Sequence, residues 1–361
     1  MGKPVRELVR PEVLDMKAYH VAPATGMVKL DAMENPYALP PALARAMGER
    51  LAAVEVNRYP DPTGECLKRR LRTLMGIPDS LDLVLGNGSD ELIQMLSLLL
   101  ARPGAVALAA EPSFVMYRMS AIVAGLRFEG VPLRGDFSLD EGAMLAALAR
   151  HRPALTWLAY PNNPTGNLFA PEAIRRIVEA APGLVVVDEA YYPFSGGATL
   201  LDEVGRHPNM VLVRTVSKLG LAGLRLGVAV GHAEWMAELE KLRPPYNVNV
   251  LTAAAAEMLL EHEEVFAEQA RTIVSERARL EAALVRMPGA QPFASAANFV
   301  LVRVPDAPRA FEALRGRGIL VRILHGSHSL LAHCLRLTVG TPDENAKLIE
   351  ALASALAPHH A

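Results

Sequence analysis

Segment 215–225, with the sequence Thr-Val-Ser-Lys-Leu-Gly-Leu-Ala-Gly-Leu-Arg, carries the residues best suited to covalent chemistry. A lysine amine such as that of Lys218 can form a Schiff base with an aldehyde. Thr215, Ser217 and Arg225 supply the hydroxyl and guanidinium groups that bind a phosphate. The segment therefore predicts a reactive amine beside an anion site, although a lone lysine on a loop is more often only solvated.

An acidic residue ends an apolar run in segment 185–191, whose sequence is Val-Val-Val-Asp-Glu-Ala-Tyr. A carboxylate at that point would be partly desolvated, which is costly unless its charge is matched. A protonated pyridine nitrogen opposite Asp188 would match the charge and would keep the ring an electron sink. The alternative is a carboxylate that ends a strand in contact with water or caps the next segment.

Two loop segments, 86–91 (Gly-Asn-Gly-Ser-Asp-Glu) and 160–166 (Tyr-Pro-Asn-Asn-Pro-Thr-Gly), can supply further groups to the same site. In the first, glycine lets the backbone approach a ligand, and Ser89 and Asp90 can cap a helix whose free N–H groups favour an anion. In the second, proline and glycine set a tight turn, and an asparagine side chain can hydrogen-bond a phenolic oxygen. An ordinary helix cap and a plain loop are the alternative interpretations.

Arginines interrupt two apolar strand patterns, Arg322 in segment 319–323 (Ile-Leu-Val-Arg-Ile) and Arg336 in segment 335–340 (Leu-Arg-Leu-Thr-Val-Gly). An arginine in such a strand is often a structural residue in an ion pair. It can also clamp an anionic substrate, because the guanidinium group binds carboxylates and phosphates through two hydrogen bonds. The sequence leaves both interpretations open.

Short apolar runs precede most of these polar segments and predict the strands of a mostly parallel sheet. The predicted strands are 81–85, 105–110, 155–160, 184–187, 210–213 and 226–230. Their largely apolar rather than alternating pattern is typical of strands covered on both faces, with helices such as 90–100 and 171–180 between them. Ligands of such α/β sheets bind at the carboxyl ends of the strands, so the polar segments are expected to form one site.

A second region follows a proline interruption near residue 245. A long helical stretch is predicted over 252–287. Further predicted elements are strands 299–304, 319–323 and 335–339 and helices 307–317 and 343–356. We therefore expect an N-terminal arm with a small-domain segment over 1–35, a large domain over 36–245 and a smaller α+β domain over 246–361.

Taken together, these segments resemble the fold-type I pyridoxal-5′-phosphate (PLP) enzymes of aminotransferase class I/II over nearly the whole chain. Further matches are segments 29–37 (Lys-Leu-Asp-Ala-Met-Glu-Asn-Pro-Tyr), 58–62 (Arg-Tyr-Pro-Asp-Pro) and 335–342 (Leu-Arg-Leu-Thr-Val-Gly-Thr-Pro). The resemblance implies an α/β fold, with a mostly parallel large-domain sheet and a smaller α+β domain, and a PLP cofactor. The likeness is strongest to the members that transfer the amino group of L-histidinol phosphate to 2-oxoglutarate in histidine biosynthesis.

The resemblance also implies a role for each matching residue. Lys218 would hold the cofactor and move protons, while Asp188 would pair with the pyridine nitrogen. Asn163 and Tyr191 would hydrogen-bond the phenolic oxygen of the cofactor. The cofactor ring and phosphate would contact Phe114, Ser89, Asp90, Thr215, Ser217, Arg225 and, across the interface of a homodimer with shared active sites, Tyr59. The substrate would contact Tyr19, Asn298, Arg322 and Arg336.

Some positions depart from the family pattern, and other functions compete. Met33 stands where many relatives have asparagine, and Ala38 where many have glycine, so substrate choice stays open. An aromatic or other amino-acid aminotransferase and a PLP-dependent decarboxylase of a phosphorylated amino acid are the nearest alternatives. From other classes, we consider a PLP-binding regulator and a metal hydrolase that uses His325, His328 and His333. The latter lacks an HExxH motif.

Composition excludes several classes of partner. The 361 residues carry a formal charge of −2, from 37 basic and 39 acidic residues, without a basic block that would bind nucleic acid. No apolar run reaches the roughly 20 residues that a membrane helix needs, and the first ten residues do not resemble a signal peptide. Cys66 and Cys334 are far apart in sequence, which favours a reducing compartment. We therefore expect a cytoplasmic protein that acts on small-molecule amines and 2-oxo acids.

Overall fold

The computed structural model describes residues 4–18 and 22–357, which form two β-sheets surrounded by helices. The strands are β1 Val28–Leu30, β2 Asp82–Gly86, β3 Val106–Glu111, β4 Arg127–Pro132, β5 Leu155–Ala159, β6 Leu184–Asp188, β7 Met210–Thr215, β8 Gly227–Gly231, β9 Gln291–Pro292, β10 Phe299–Arg303, β11 Ile319–Ile323 and β12 Cys334–Thr338. The helices are α1 Val5–Leu8, α2 Pro11–Leu14, α3 Pro41–Ala52, α4 Glu65–Met75, α5 Ser89–Leu99, α6 Val115–Ala124, α7 Glu141–His151, α8 Pro171–Ala180, α9 Leu201–Val204, α10 Ala233–Glu240, α11 Val250–Leu259, α12 Glu263–Val285, α13 Ala307–Gly316 and α14 Pro342–Leu356. None of these described helices is long and apolar enough to cross a membrane.

The larger sheet has seven strands in the order β2-β8-β7-β6-β5-β3-β4. Strand β8 runs antiparallel to both of its neighbours, and the other pairs are parallel. Alternate residues of β6 belong to two separate hydrophobic clusters, with Val185 and Val187 in one and Leu184 and Val186 in the other. The sheet is therefore buried on both faces, and the expected α/β architecture with a mostly parallel sheet is confirmed.

The smaller sheet has five strands in the order β1-β11-β12-β10-β9. Strand β1 is parallel to β11, and the remaining pairs are antiparallel. Its core includes Ile273 of α12, Leu314 of α13 and Leu348 of α14, which pack against Val300 and Leu337 of the central strands. We propose that the two sheets are the cores of two domains, with the segment that carries β1 joined to the smaller one.

The structure differs from the sequence prediction in a few elements. Strands β1, β4 and β9 were not predicted, and the single helical stretch over 252–287 is wrong, because two helices, α11 and α12, occupy it. The interruption at 260–262 lets the chain change direction, and α12 packs on the smaller sheet's core from Ala270 onward. Leu259 of α11 packs in the core of the larger sheet, while Leu280 of α12 packs in that of the smaller one.

A buried ion pair joins β7 to the loop after β6. Arg214 Nη2 lies 2.7 Å from Glu189 Oε2, and the two side chains are almost completely buried. Arg214 also donates to the Met75 carbonyl oxygen at 2.8 Å, and the Leu200 amide donates to Glu189 at 2.6 Å. Glu189 directly follows Asp188 in the chain, and these bonds fix the ends of the two paired strands relative to each other.

Removal of this pair is expected to lower stability sharply. Arg214→Ala leaves the Glu189 charge buried without its partner, which typically costs about 3–5 kcal/mol. The free energy of unfolding, measured by urea denaturation, should fall by that amount. In the matched control Arg176→Ala, which removes a half-exposed partner of Glu141, the loss should stay below about 1 kcal/mol. Equally small losses of unfolding free energy in the two variants would show that the Arg214–Glu189 pair does not fix the strand ends.

Candidate active site

A cavity of about 480 Å³ opens between the two sheets, a size typical of small-molecule sites. Its floor comes from residues at or just after the carboxyl ends of parallel strands, as in other open α/β sheets. Most of the predicted site residues line it, namely Ser89, Asp90, Phe114, Asn163, Asp188, Tyr191, Thr215, Ser217, Lys218, Arg225, Arg322 and Arg336. The strands therefore bring together groups that are up to about two hundred and fifty residues apart in sequence.

Three predicted site residues are not among those that line the cavity. Tyr59 lies on the surface with 79% of its area exposed, where its ring stacks on Tyr246 at a centroid distance of 4.5 Å. Asn298 is fully buried and donates to the carbonyl oxygen of Met33, a residue of the cavity wall, at 2.9 Å. Tyr19 lies outside the described residues. The roles predicted for these three residues stay predictions.

Lys218 lies in a short 3₁₀ turn, Ser217–Leu219, directly after β7. Its Nζ atom is 5.7 Å from the centroid of the Tyr191 ring. Burial lowers the pKa of Lys218 to about 8, and the positive charge of Arg336 acts in the same direction. A larger fraction of the amine is thus neutral near pH 7 than in a free lysine, and only the neutral amine is a nucleophile.

Asp188 is the last residue of β6 and is buried at the floor of the cavity. Its Oδ2 accepts a hydrogen bond from the Tyr117 hydroxyl at 2.8 Å, and its Oδ1 accepts one from the Ala190 amide at 3.0 Å. Burial raises the pKa of Asp188 to about 6, although these two hydrogen bonds act in the opposite direction. The carboxylate therefore favours a cationic partner inside the cavity that Lys218 also faces.

A cluster of donors between the ends of β2 and β7 can bind an anion. Ser89 begins α5, whose free N–H groups and dipole favour negative charge. The preceding Gly88 has a φ of +83°, which favours glycine, and a Cβ atom there would lie 2.7 Å from the Arg225 guanidinium. The hydroxyls of Thr215 and Ser217 are 2.9 Å apart beside it. These groups suit a phosphate.

Two arginines of the smaller sheet, called here the second anion site, can bind an anion. Arg322 of β11 and Arg336 of β12 are register partners on adjacent strands, and both line the cavity. Guanidinium groups bind carboxylates and phosphates, so two of them on one cavity wall suit an anionic ligand. Both sheets therefore contribute groups that can bind an anion to the cavity that Lys218 and Asp188 also line.

A hydrogen-bond chain crosses the cavity wall from the second anion site. Arg336 Nη1 donates to Asn163 Oδ1 at 2.7 Å, and Asn163 Nδ2 donates to the Tyr191 hydroxyl at 3.1 Å. Arg336 also donates to the Asp31 carbonyl oxygen at 2.7 Å. These bonds fix the side chains of Asn163 and Tyr191, the two residues predicted to contact a phenolic oxygen.

Residues 25–352 match the family model of aminotransferase class I and II. The chain belongs to the class I and II aminotransferases. This aminotransferase is 55% identical over 348 residues to the histidinol-phosphate aminotransferase of Chromobacterium violaceum, an alignment that covers 96% of this chain and 98% of that one. It is 53% identical to histidinol-phosphate aminotransferase 1 of Ralstonia nicotianae, with 97% of this chain and 94% of that one covered.

The fold of the aminotransferase is shared with solved structures. The crystal structure of histidinol-phosphate aminotransferase from Sinorhizobium meliloti in complex with pyridoxal-5′-phosphate matches with a TM-score of 0.86 and 25% identity, over 96% of this chain and 97% of that one. The family predicted from the sequence motifs is therefore confirmed, as is the prediction of an aminotransferase with the fold-type I architecture.

Several residues that line the aminotransferase's cavity were not predicted from the sequence. Tyr117 lines it and contacts Asp188, while Glu34, Met116 and Met119 contribute to its walls. The sequence contained one indication that Tyr117 belongs to the site. Tyr117 lies three residues, about one helical turn, after Phe114, a predicted site residue and the N-cap of α6. The same position in an apolar helix is also typical of an ordinary core residue.

The histidines of the metal-hydrolase alternative do not form a ligand set. Among the residues that the structure describes, no group of three or more His, Cys, Asp or Glu side chains could hold a metal ion. The His333 amide donates instead to His325 Nδ1 at 3.0 Å, and the Leu330 amide donates to His328 Nδ1 at 3.2 Å. In the aminotransferase these histidines thus hold the backbone of the loop before β12.

Proposed function

We propose that this aminotransferase holds PLP through Lys218 and transfers the amino group of L-histidinol phosphate to 2-oxoglutarate. One observation carries the proposal: Lys218 and Asp188 line the same cavity, to which both sheets contribute residues that can bind an anion. The names of the most similar relatives and the PLP complex of the Sinorhizobium meliloti enzyme support the choice of substrate and cofactor.

The residues of the cavity fit PLP group by group. Asp188 is a buried carboxylate that favours a cation, which suits a protonated ring nitrogen. Ser89, Thr215, Ser217 and Arg225 would hold the cofactor phosphate, with Asp90 orienting Arg225 through a contact of 3.3 Å. Asn163 and Tyr191 would hydrogen-bond the phenolic oxygen, and Phe114 would pack on the ring.

The protein's own groups account for the remaining chemistry. When bound, PLP supplies the electron sink that makes the Cα proton of the substrate removable. Lys218 Nζ, partly neutral at working pH, takes up this proton as a general base and delivers it again as a general acid. Asp188 keeps the proton on the ring nitrogen. The two anion sites hold the reacting atoms within reach of Lys218.

The second anion site explains how two dissimilar substrates can share one cavity. L-histidinol phosphate carries a phosphate group, and 2-oxoglutarate carries two carboxylates. The Arg322 and Arg336 guanidinium groups can bind either kind of anion in turn. We infer that they hold the phosphate in the first half-reaction and a carboxylate in the second.

We also propose a homodimer with shared active sites. Tyr59 does not line the cavity of its own chain, is exposed and stacks on Tyr246. This placement is expected for a side chain that reaches the cofactor phosphate bound by a second copy of the chain. An exposed aromatic pair is also typical of a surface that another protein covers.

A donor screen tests the proposed function. Purified protein with PLP and 2-oxoglutarate is offered histidinol phosphate, phenylalanine or threonine phosphate, and glutamate is measured. We expect the highest kcat/KM with histidinol phosphate. A preference for phenylalanine would instead indicate an aromatic aminotransferase, and release of carbon dioxide from threonine phosphate without glutamate would indicate a decarboxylase.

The second anion site, Arg322 and Arg336, gives a sharper prediction. Arg336→Lys keeps the charge but loses the bidentate geometry, so kcat/KM for histidinol phosphate should fall about 10- to 100-fold, the usual worth of a hydrogen bond to a charged group. The half-reaction with 2-oxoglutarate should slow as well. In the matched control Arg303→Lys, on the neighbouring strand β10 and outside the cavity, rates should stay within about twofold. Equal effects of the two substitutions on kcat/KM would show that Arg336 does not bind the substrate anion.

A further inference from the structure

Tyr117 is a buried aromatic residue directly behind the Asp188 carboxylate. Its side chain is only 1% exposed, and its hydroxyl donates to Asp188 Oδ2 at 2.8 Å. The ring is parallel to that of Trp157 on β5, with centroids 4.8 Å apart, and meets the Phe114 ring edge-on at 5.7 Å. Contacts with two aromatic rings fix the ring, and therefore the position of the hydroxyl.

The two oxygens of Asp188 are held from two different elements. Tyr117 on α6 donates to Oδ2, and the Ala190 amide in the loop after β6 donates to Oδ1. Each carboxylate oxygen can accept more than one hydrogen bond, so each keeps acceptor capacity toward the cavity. Two fixed donors on opposite oxygens leave the carboxylate group little freedom to rotate about its Cβ–Cγ bond.

The charges around this pair keep the Tyr117 hydroxyl a donor. Burial raises the pKa of Tyr117 well above its ordinary range, and the negative charge of Asp188 raises it further. Among the other groups that act on Asp188, Asp90 raises its pKa and Lys218 lowers it. Tyr117 therefore remains protonated at any working pH and stabilises the ionised form of its partner.

We propose that Tyr117 is a positioning residue, which orients the ionised Asp188 carboxylate toward the ring nitrogen of the bound cofactor. The inference rests on the proposed PLP function. It extends that function by one residue, because Tyr117 is not among the residues expected to contact the cofactor phosphate, the phenolic oxygen or the substrate. A residue that acted only as core packing would need the ring of Tyr117 but not its hydroxyl.

The test uses Tyr117→Phe, which removes the hydroxyl and keeps the ring between Trp157 and Phe114. The affinity of the apoprotein for PLP, measured by titration of absorbance, should fall about tenfold, at the lower end of the range for a hydrogen bond to a charged group. The affinity for 1-deaza-PLP, in which carbon replaces the ring nitrogen, should change less than about twofold. Tyr37→Phe, at a partly buried tyrosine outside the cavity, is the matched control and should alter neither affinity.

Kinetics and a double variant complete the experiment. In Tyr117→Phe, kcat should fall about tenfold while KM for both substrates stays within about twofold, since the hydroxyl faces Asp188 rather than substrate. In an Asp188→Asn background, the same substitution should have almost no further effect on kcat. An additive loss in the double variant, or an equal loss of affinity for PLP and 1-deaza-PLP, would overturn the inference.

The outcomes separate this inference from the proposed function. If the unsubstituted protein fails to bind PLP, the proposed function fails regardless of Tyr117. If it binds PLP and Tyr117→Phe binds PLP equally well with unchanged kcat, only the positioning role fails. A thermal unfolding curve for Tyr117→Phe that matches the unsubstituted protein shows that the measured changes arise in the site.

Discussion

Lys218→Ala is expected to eliminate covalent attachment of PLP and to lower kcat by at least about 10⁴-fold, the upper end of the range for a lost acid–base group. The substitution removes both the amine that bonds the aldehyde and the group that moves the Cα proton. Among the described lysines, Lys218 is the one that lines the cavity. The visible absorbance of the protein with PLP and the rate of glutamate formation measure the two losses.

A lysine outside the cavity provides the control for this prediction. Lys68, on α4, pairs with Glu65 at 3.5 Å and lies outside the cavity of Lys218. Lys68→Ala should keep both the absorbance and the turnover of the unsubstituted protein. Transamination that survives in Lys218→Ala at more than a small fraction of the normal rate would remove Lys218 from the mechanism.

The second large effect is expected for Asp188→Asn. The amide is neutral and cannot match a positive charge on the ring nitrogen, so the electron sink weakens. Breaking a buried ion pair costs about 3–5 kcal/mol, and a penalty of that size in the transition state lowers kcat by about 10²- to 10³-fold or more. PLP should still bind through Lys218 and the phosphate cluster, so the visible absorbance should persist.

Exchange of the substrate's Cα hydrogen with solvent measures this effect directly. The exchange rate should fall together with kcat in Asp188→Asn, because proton abstraction is the step that the ring charge assists. Asp82→Asn, at an exposed position of β2, is the matched control and should leave both rates unchanged. Near-normal exchange in Asp188→Asn would show that ring protonation is not required here.

Much of the site could be predicted because parallel strands end at the same edge of a sheet. Asp188 directly follows one apolar run, and Thr215 and Lys218 follow another within five residues, so the strand pattern indicated that they lie near one another. Arg322 and Arg336 were recognisable for the opposite reason, because each breaks an apolar run that otherwise describes a buried strand.

The elements that were missed depend on contacts distant in sequence. Strand β1 has only three residues and pairs with β11, so Val28 lies opposite Ile319. No local pattern marks such a pairing. Strand β4 carries arginine, glutamate, glycine and proline at the edge of its sheet, a composition that does not resemble a strand.

Tyr117 shows the limit of local patterns within the site itself. In the sequence it is an aromatic residue in an apolar helix, which is typical of core packing. Its link to Asp188 appears only in the fold, where Tyr117 stacks on Trp157 of β5 and its hydroxyl reaches a residue 71 positions away. The break between α11 and α12 has a similar origin, because α11 packs on the core of the larger sheet, while α12 from Ala270 onward packs on that of the smaller one.

Borohydride reduction identifies the lysine that holds the cofactor, since it makes a Schiff base between PLP and a lysine permanent. The protein is loaded with PLP, reduced and digested, and the modified peptide is located by mass spectrometry, with a sample reduced without PLP as the blank. A single modification on Lys218 is the predicted result. A pyridoxyl group on another lysine, or an unmodified Lys218 in protein that has retained PLP, would show that Lys218 does not hold the cofactor.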